Sequence, residues 1–277
     1  MMKLIADSGS TKTDWALTDE NGLQCIVHTQ GLNPVHQPRE VMVEVLKTEL
    51  LPQLDGVEVH EVFFYGSGVR PTEESLMCQL LQECIGAQYV EAHSDLLGAA
   101  RALCGHEEGV ACILGTGANS CLFDGKQIVR NTPALGYILG DEGSGANLGI
   151  SLLNGLYKGV LPASLRRQFE DETGLQLSDV IERVYRQPLA NRFLASLSPF
   201  IHTHLHEPLL SRMVVERFRV FLCRNISPYG RHDLPIAAVG SIAFYFQDQL
   251  RLAAEKEGYT IGRVERSPLE ALLKYHA

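Results

Sequence analysis

The chain has 277 residues, 45% of them hydrophobic and 21% charged, a globular composition that excludes a largely disordered polymer. Its formal net charge of −9 speaks against a nucleic acid or an anionic membrane as the main partner, because both select basic patches. No apolar stretch is long enough to span a bilayer, Asp7 cuts short the N-terminal apolar run, and the seven scattered cysteines include no C-x-x-C pair; a reduced, cytoplasmic setting is expected.

In chain order, Leu4-Ile5-Ala6-Asp7 reads as a strand running into the small-residue turn Ser8-Gly9-Ser10-Thr11. A second strand follows through Trp15 to Leu17, then the turn Glu20-Asn21-Gly22 and a further strand. A helix is expected at about 38–51, a strand at Val62-Phe63-Phe64-Tyr65, then Gly66-Ser67-Gly68 and a helix from about Thr72. Residues 88–92 read as a strand, followed by His93-Ser94-Asp95 and a helix over 96–103. The pattern then restarts: strand Ala111 to Leu114, turn Gly115-Thr116-Gly117, strand Ala118 to Phe123, turn Asp124-Gly125-Lys126, next strand. Helices are expected at roughly 144–158, 162–173, 178–185 and 209–225, then the strand Ile236-Ala237-Ala238-Val239, Gly240-Ser241 and a helix through about Glu257. A Pro-initiated helix closes the chain from Pro268. The repetition implies a structural duplication with a cleft between the copies.

Each small-residue turn offers backbone N–H groups and hydroxyls as a phosphate cradle, and two such turns suggest two lobes gripping one nucleotide. Asp7 is a candidate Mg²⁺ ligand or a turn acid. Ser10, Thr11 and Thr13 would supply hydroxyls, and Lys12 is either a phosphate-seeking cation or a solvated lysine at the hairpin tip. Thr116, with Gly115 and Gly117, would form the second clamp. Asp95 is either a helix N-cap or a general base; Ser94 is available to take the cap instead. Gly140-Asp141-Glu142-Gly143-Ser144-Gly145 sets two carboxylates among small residues, which suits a polyol or simply a helix start. Asn33 is a ligand amide or a turn residue. His202, His204 and His206 tempt a metal reading, but only His202 and His206 would share a helical face and no cysteine cluster accompanies them, so a bland, partly exposed set is expected.

Together these pieces resemble the actin, sugar-kinase and heat-shock chaperone superfamily, and within it the N-acetylglucosamine kinase branch of the BadF/BadG/BcrA/BcrD-type ATPases, over essentially the whole chain. Asp7 to Thr13 matches the first phosphate motif, Leu114-Gly115-Thr116-Gly117 the second, and Ala238-Val239-Gly240-Ser241-Ile242 the adenosine motif. The resemblance implies an α/β, two-lobed actin-like (ribonuclease H-like) duplication with the nucleotide cleft between lobes. Residues 1–108 would form one lobe, joined by the C-terminal helix at 267–277, and 109–266 the other, with a helical insertion. It further implies ATP and Mg²⁺, Asp95 as catalytic base, an amino sugar held by Asn119, Asp141 and Asn33, and the homodimer common among such relatives. Leu139 to Gly149 contains no cysteine, which removes the thiolates an iron–sulfur activator of this family would need. An ATPase switching a protein partner remains the alternative, since phosphate motifs report the nucleotide and not the acceptor. Ser8 and Ser10 stand where many relatives carry glycine, an exchange expected to tighten the loop.

Overall fold

Leu4, Ile5 and Ala6 are consecutive and fully buried, which requires a strand covered on both faces. In the computed structural model, which describes residues 1–9 and 11–277, that strand is β1 (Lys3–Ser8), the centre of a five-stranded sheet. The sheet order is β3-β2-β1-β4-β5, with β2 at Lys12–Asp19, β3 at Gly22–Gln30, β4 at Glu61–Gly66 and β5 at Tyr89–Ser94. The β1–β2 and β2–β3 pairs are antiparallel, and the β1–β4 and β4–β5 pairs parallel. This sheet belongs to a compact unit comprising Met1–Glu107, Gly125–Gln127 and Ser267–Ala277.

The helical stretch after β3 runs as α1 (Arg39–Val45), a π-helical turn (Leu46–Leu50) and α2 (Leu51–Leu54). It packs with α3 (Glu74–Ile85) through Met42, Leu46, Leu50, Met77 and Leu80, in a core shared with Trp15 and Phe64. A separate cluster joins Ile5, Phe63 and Tyr65 to Ala102 of α4 (Asp95–Cys104) and to Leu269 and Leu272 of the C-terminal helix (Leu269–Tyr275). Tyr65 anchors that layer: Arg101 Nη1 donates to its hydroxyl at 2.7 Å, and His276 Nε2 lies 2.8 Å from the same oxygen.

The second unit, Glu108–Asp124 with Ile128–Arg266, repeats this topology. Its sheet order is β10-β9-β6-β7-β8: β6 (Glu108–Leu114), β7 (Ala118–Asp124) and β8 (Ile128–Thr132) form an antiparallel meander, and β9 (Ile236–Val239) and β10 (Ile261–Glu265) add in parallel beside β6. The helices begin with α5 (Gly136–Leu139) and α6 (Gly145–Tyr157) and include Pro208–Phe221, which passes into a π-helical turn at Leu222–Ile226. β10 had no counterpart among the expected elements; it takes the place in this sheet that β5 holds in the first. None of the seven cysteines is in a disulfide; Cys112 and Cys121 are buried, whereas Cys25 and Cys223 sit on exposed faces of their elements. Among the described residues, no helix is long and apolar enough to cross a membrane.

Candidate active site

Asp7 is the penultimate residue of β1, and the register places Ser8 beside Gly66 and Gly66 beside Ser94. Three parallel strands thus end together, and the carboxyl ends of parallel strands are where α/β sheets take ligands. Asp95 opens α4 directly after β5. The helix cap is Ser94, whose Oγ accepts the Leu97 N–H at 3.2 Å, so Asp95 is released from that duty. Burial pushes the Asp95 carboxyl up to about 6, against the lowering effect of hydrogen bonds from the backbone N–H groups of Leu96 and of Asp95 itself. Asp7 is pushed up further, to about 7, by burial first and then by the charges of Asp95 and Asp14, with Lys12 acting the other way. The charge of Asp95 helps to keep the proton on Asp7.

Asp14 stands opposite Asp7 on β2 and opposite His28 on β3. Its carboxylate holds Lys12 Nζ at 2.8 Å and His28 Nδ1 at 2.7 Å, so Lys12 is tethered rather than loose at the hairpin tip. Strand alternation turns Thr13 to the opposite face. There its hydroxyl lies 2.7 Å from Ser8 Oγ and donates to the Gln30 carbonyl at 3.2 Å, with the whole residue buried. The expectation that Thr13 offers its hydroxyl to a phosphate is corrected accordingly: that hydroxyl is an internal tie. The same tie accounts for Ser8, whose Oγ also accepts the Leu32 N–H at 3.1 Å. Gly9 N–H closes the turn on the Lys12 carbonyl at 3.0 Å, and Thr11 is exposed beside it. Ser10 lies outside the described residues. Asn33 is buried in the first unit; its Oδ1 accepts the Val35 N–H at 3.0 Å, so the turn role is realised and the amide nitrogen is what remains for a ligand.

In the second unit the turn Gly115-Thr116-Gly117 is closed by Gly115 N–H on the Gly117 carbonyl at 3.0 Å. The first amides of α6 pin it from behind: Gly145 and Ala146 donate to the carbonyls of Gly115 and Thr116 at 2.8 and 3.2 Å. Gly240, at φ +119°, brings the segment 238–242 against this turn, since a Cβ there would lie 2.3 Å from the Leu114 carbonyl oxygen. Ser241 follows it, exposed, at the start of the next helix. Gly240→Ala should therefore cost about 1–3 kcal/mol of stability. Urea unfolding checks this, and an unchanged midpoint would refute the close approach.

Asp141 adopts a left-handed backbone, φ +50°, one of the few such non-glycine positions. Its N–H donates to the Ala134 carbonyl at 3.1 Å, and its carboxylate accepts the Ala118 N–H over Gly117. Burial pushes that carboxyl up to about 6, with Glu142 adding to the rise. Asn119, next to Ala118, accepts hydrogen bonds on Oδ1 from the Ser120 N–H and from Asn131 Nδ2, both at 2.9 Å, which leaves its NH₂ group to donate. The structure thus gathers Asn119, Asp141, the second glycine turn and Gly240 in one region. Sequence reasoning did not single out Asn131, Arg224 or Asn225: the first orients Asn119, and the other two grip Glu142 at 2.9 and 3.2 Å. Burial alone would raise the Glu142 carboxyl, but these hydrogen bonds hold it below the usual range. Among the described residues no group of three His, Cys, Asp or Glu side chains is arranged to hold a metal ion. His204 is buried, which corrects the picture of a partly exposed histidine set: its Nδ1 lies 2.9 Å from the Phe200 carbonyl, its Nε2 3.2 Å from Glu172, and its ring stacks on Phe200.

No protein-family model matches the chain, and no curated protein does. Among solved structures it is similar to a candidate N-acetylglucosamine kinase from Porphyromonas gingivalis, at 46% identity over 99% of this chain and 98% of that one, with a TM-score of 0.97. It shares its fold with a second candidate N-acetylglucosamine kinase, from Chromobacterium violaceum (16% identity, 100% and 99% covered, TM-score 0.77). It also shares it with a ROK family glucokinase from Streptomyces griseus, solved with glucose and AMPPNP (12% identity, 99% and 98% covered, TM-score 0.59). Two β-meander-plus-parallel sheets with their helices are the duplicated actin-like ATPase lobes of the sugar kinases. At 46% identity over nearly its full length, the chain belongs to the N-acetylglucosamine kinase-like family of the actin, sugar-kinase and heat-shock chaperone superfamily.

Proposed function

We propose that the protein transfers the γ-phosphoryl group of ATP to an amino sugar, N-acetylglucosamine giving its 6-phosphate. The observation that carries this reading is Asp95: a half-buried carboxylate at the end of a parallel strand, freed from capping by Ser94, with its carboxyl pushed up to about 6. That is what a general base for a hydroxyl requires. Asp95 would take the proton of the sugar's primary hydroxyl as that oxygen bonds to the γ-phosphorus and the bond to the bridging oxygen of ADP breaks. The turns at 9–12 and 115–117, with Lys12, would take the phosphates through the groups their own closing hydrogen bonds leave over, and Gly240-Ser241 the adenosine. Asn119 and Asp141, joined by Asn33, would hold the sugar, carboxylate oxygens accepting from its hydroxyls. The candidate N-acetylglucosamine kinase at 46% identity supports this choice of acceptor.

The surroundings of Asp7 suit a hard dication: its carboxyl feels the charges of Asp95 and of Asp14, with Lys12 acting the other way. Mg²⁺ characteristically takes one or two carboxylates and fills its shell with water and phosphate oxygens, so Asp7 suffices as the protein ligand. When bound, it would neutralise phosphate charge, and positioning and neutralisation supply most of the rate in phosphoryl transfer.

The test is ADP release from Mg·ATP with and without N-acetylglucosamine. Stimulation by the sugar of at least tenfold is expected. A rate indifferent to it, and to related amino sugars, would overturn the reading in favour of an ATPase that switches a protein partner.

A further inference from the structure

Asn225 lies in the π-helical turn Leu222–Ile226 and is more than nine-tenths buried. Nothing in its local sequence marks it. Its side chain and its carbonyl nevertheless face two different segments of the candidate sugar site. Nδ2 donates to Glu142 Oε2 at 3.2 Å, beside Asp141 in the chain, and to the Phe221 carbonyl at 3.3 Å. The Asn225 carbonyl accepts from Ser120 Oγ at 3.2 Å and from Thr132 Oγ1 at 3.0 Å. Ser120 follows Asn119, and Thr132 follows Asn131, the residue that orients Asn119. Tyr229, just past the π turn, braces the same pair: its hydroxyl lies 2.8 Å from Ser120 Oγ and accepts the Thr132 N–H at 3.0 Å. Arg224 adds a second hold on Glu142, at 2.9 Å from Oε1. Buried networks of this kind, with each member satisfied, fix a single geometry.

We infer that Asn225 is a positioning residue for the acceptor sugar: one amide and one carbonyl set where the Asp141 segment stands relative to the Asn119 segment. A π turn is suited to this, because its extra residue re-aims groups that a continuous α-helix would direct elsewhere, and such turns recur at functional sites. The left-handed backbone of Asp141 needs a hold of this kind to persist, since strained conformations survive only where their surroundings over-determine them. The inference rests on the kinase reading for the identity of the ligand, but the tie itself does not.

The test uses the full chain and three variants: Asn225→Ala, Asn225→Asp, and Asn225→Asp combined with Glu142→Gln, which restores the hydrogen bond with donor and acceptor exchanged. Kinetics and hydrogen–deuterium exchange are both read. Each single variant should raise the N-acetylglucosamine KM by roughly 10–100-fold, the cost of misplacing a ligand-binding group by about an ångström, and leave the ATP KM within about twofold. The double variant should recover most of the sugar affinity. Asn225→Ala should also speed amide exchange in residues 139–145, which its side chain holds through Glu142, and change 118–132 less, because alanine keeps the backbone carbonyl that holds that segment. Equal rises in both KM values, or a double variant no better than Asn225→Asp alone, would overturn the inference. So would unchanged exchange in residues 139–145. If the wild type ignores the sugar, the kinase reading fails, and the exchange result alone then decides whether Asn225 ties the two segments.

Discussion

Asp95→Asn should lower kcat by roughly 10²–10⁴-fold, the usual worth of a general base, with a far smaller change in sugar KM. The substitution is close to isosteric, and Ser94 remains to cap α4, so the helix keeps its start and the melting temperature should not fall. The pH profile gives an independent check. A base must be deprotonated to act, so wild-type kcat/KM should rise with pH through about 6, where burial places the Asp95 carboxyl. That limb should become shallower in the variant, where Asp7 and Asp141 still titrate in this range. Near-normal turnover would remove Asp95 from the chemistry and leave it as a helix-start acid serving the macrodipole.

Much of this arrangement was legible because it is local. The run Leu4-Ile5-Ala6 ahead of Asp7 announces a strand buried on both faces that ends in a turn, and the repeat at Ala111 to Phe123 announces a second copy. Ser94 beside Asp95 offered two residues for one cap, and the structure chose the serine. Thr13 shows where local reading fails. A hydroxyl in a glycine-rich turn looks available, but in-register pairing with Ser8 turns it inward, and the pairing was itself readable from strand alternation. β10 was missed because Ile261 and Val264 are its only large apolar residues, interrupted by Gly262 and Arg263; only the duplication itself, which demands a partner for β5, pointed to it. Asn225 and Arg224 were out of reach for a different reason. Glu142, which both of them grip, lies more than eighty residues earlier in the chain (82 and 83 positions), and no periodicity encodes a pairing that distant.

Asp7→Asn should abolish most activity yet stabilise the ligand-free protein at alkaline pH. The sign follows from proton binding. An aspartate in the unfolded chain ionises near pH 4, whereas burial, Asp95 and Asp14 hold the Asp7 proton to about 7 in the fold. Between these limits the folded state binds the extra proton, so this group's contribution makes stability fall as pH rises from about 4 to about 7, and the full penalty remains above that. Asparagine carries no such charge. The variant should therefore match the wild type near pH 4 and exceed it at pH 8 by an amount of the order of 2–4 kcal/mol, measured by urea unfolding without nucleotide or metal. A gap of equal size at both pH values would mean that the carboxylate's charge is not what the fold resists. Activity should move the opposite way, by about 10²-fold or more in kcat, because the penalised charge is the one a dication would reward. Added Mg²⁺ should narrow the stability gap at pH 8 by favouring the ionised wild-type carboxyl, an effect the asparagine variant cannot show. A site that is costly when empty and relieved by its ligand is the expected signature of a carboxylate kept for binding rather than for folding.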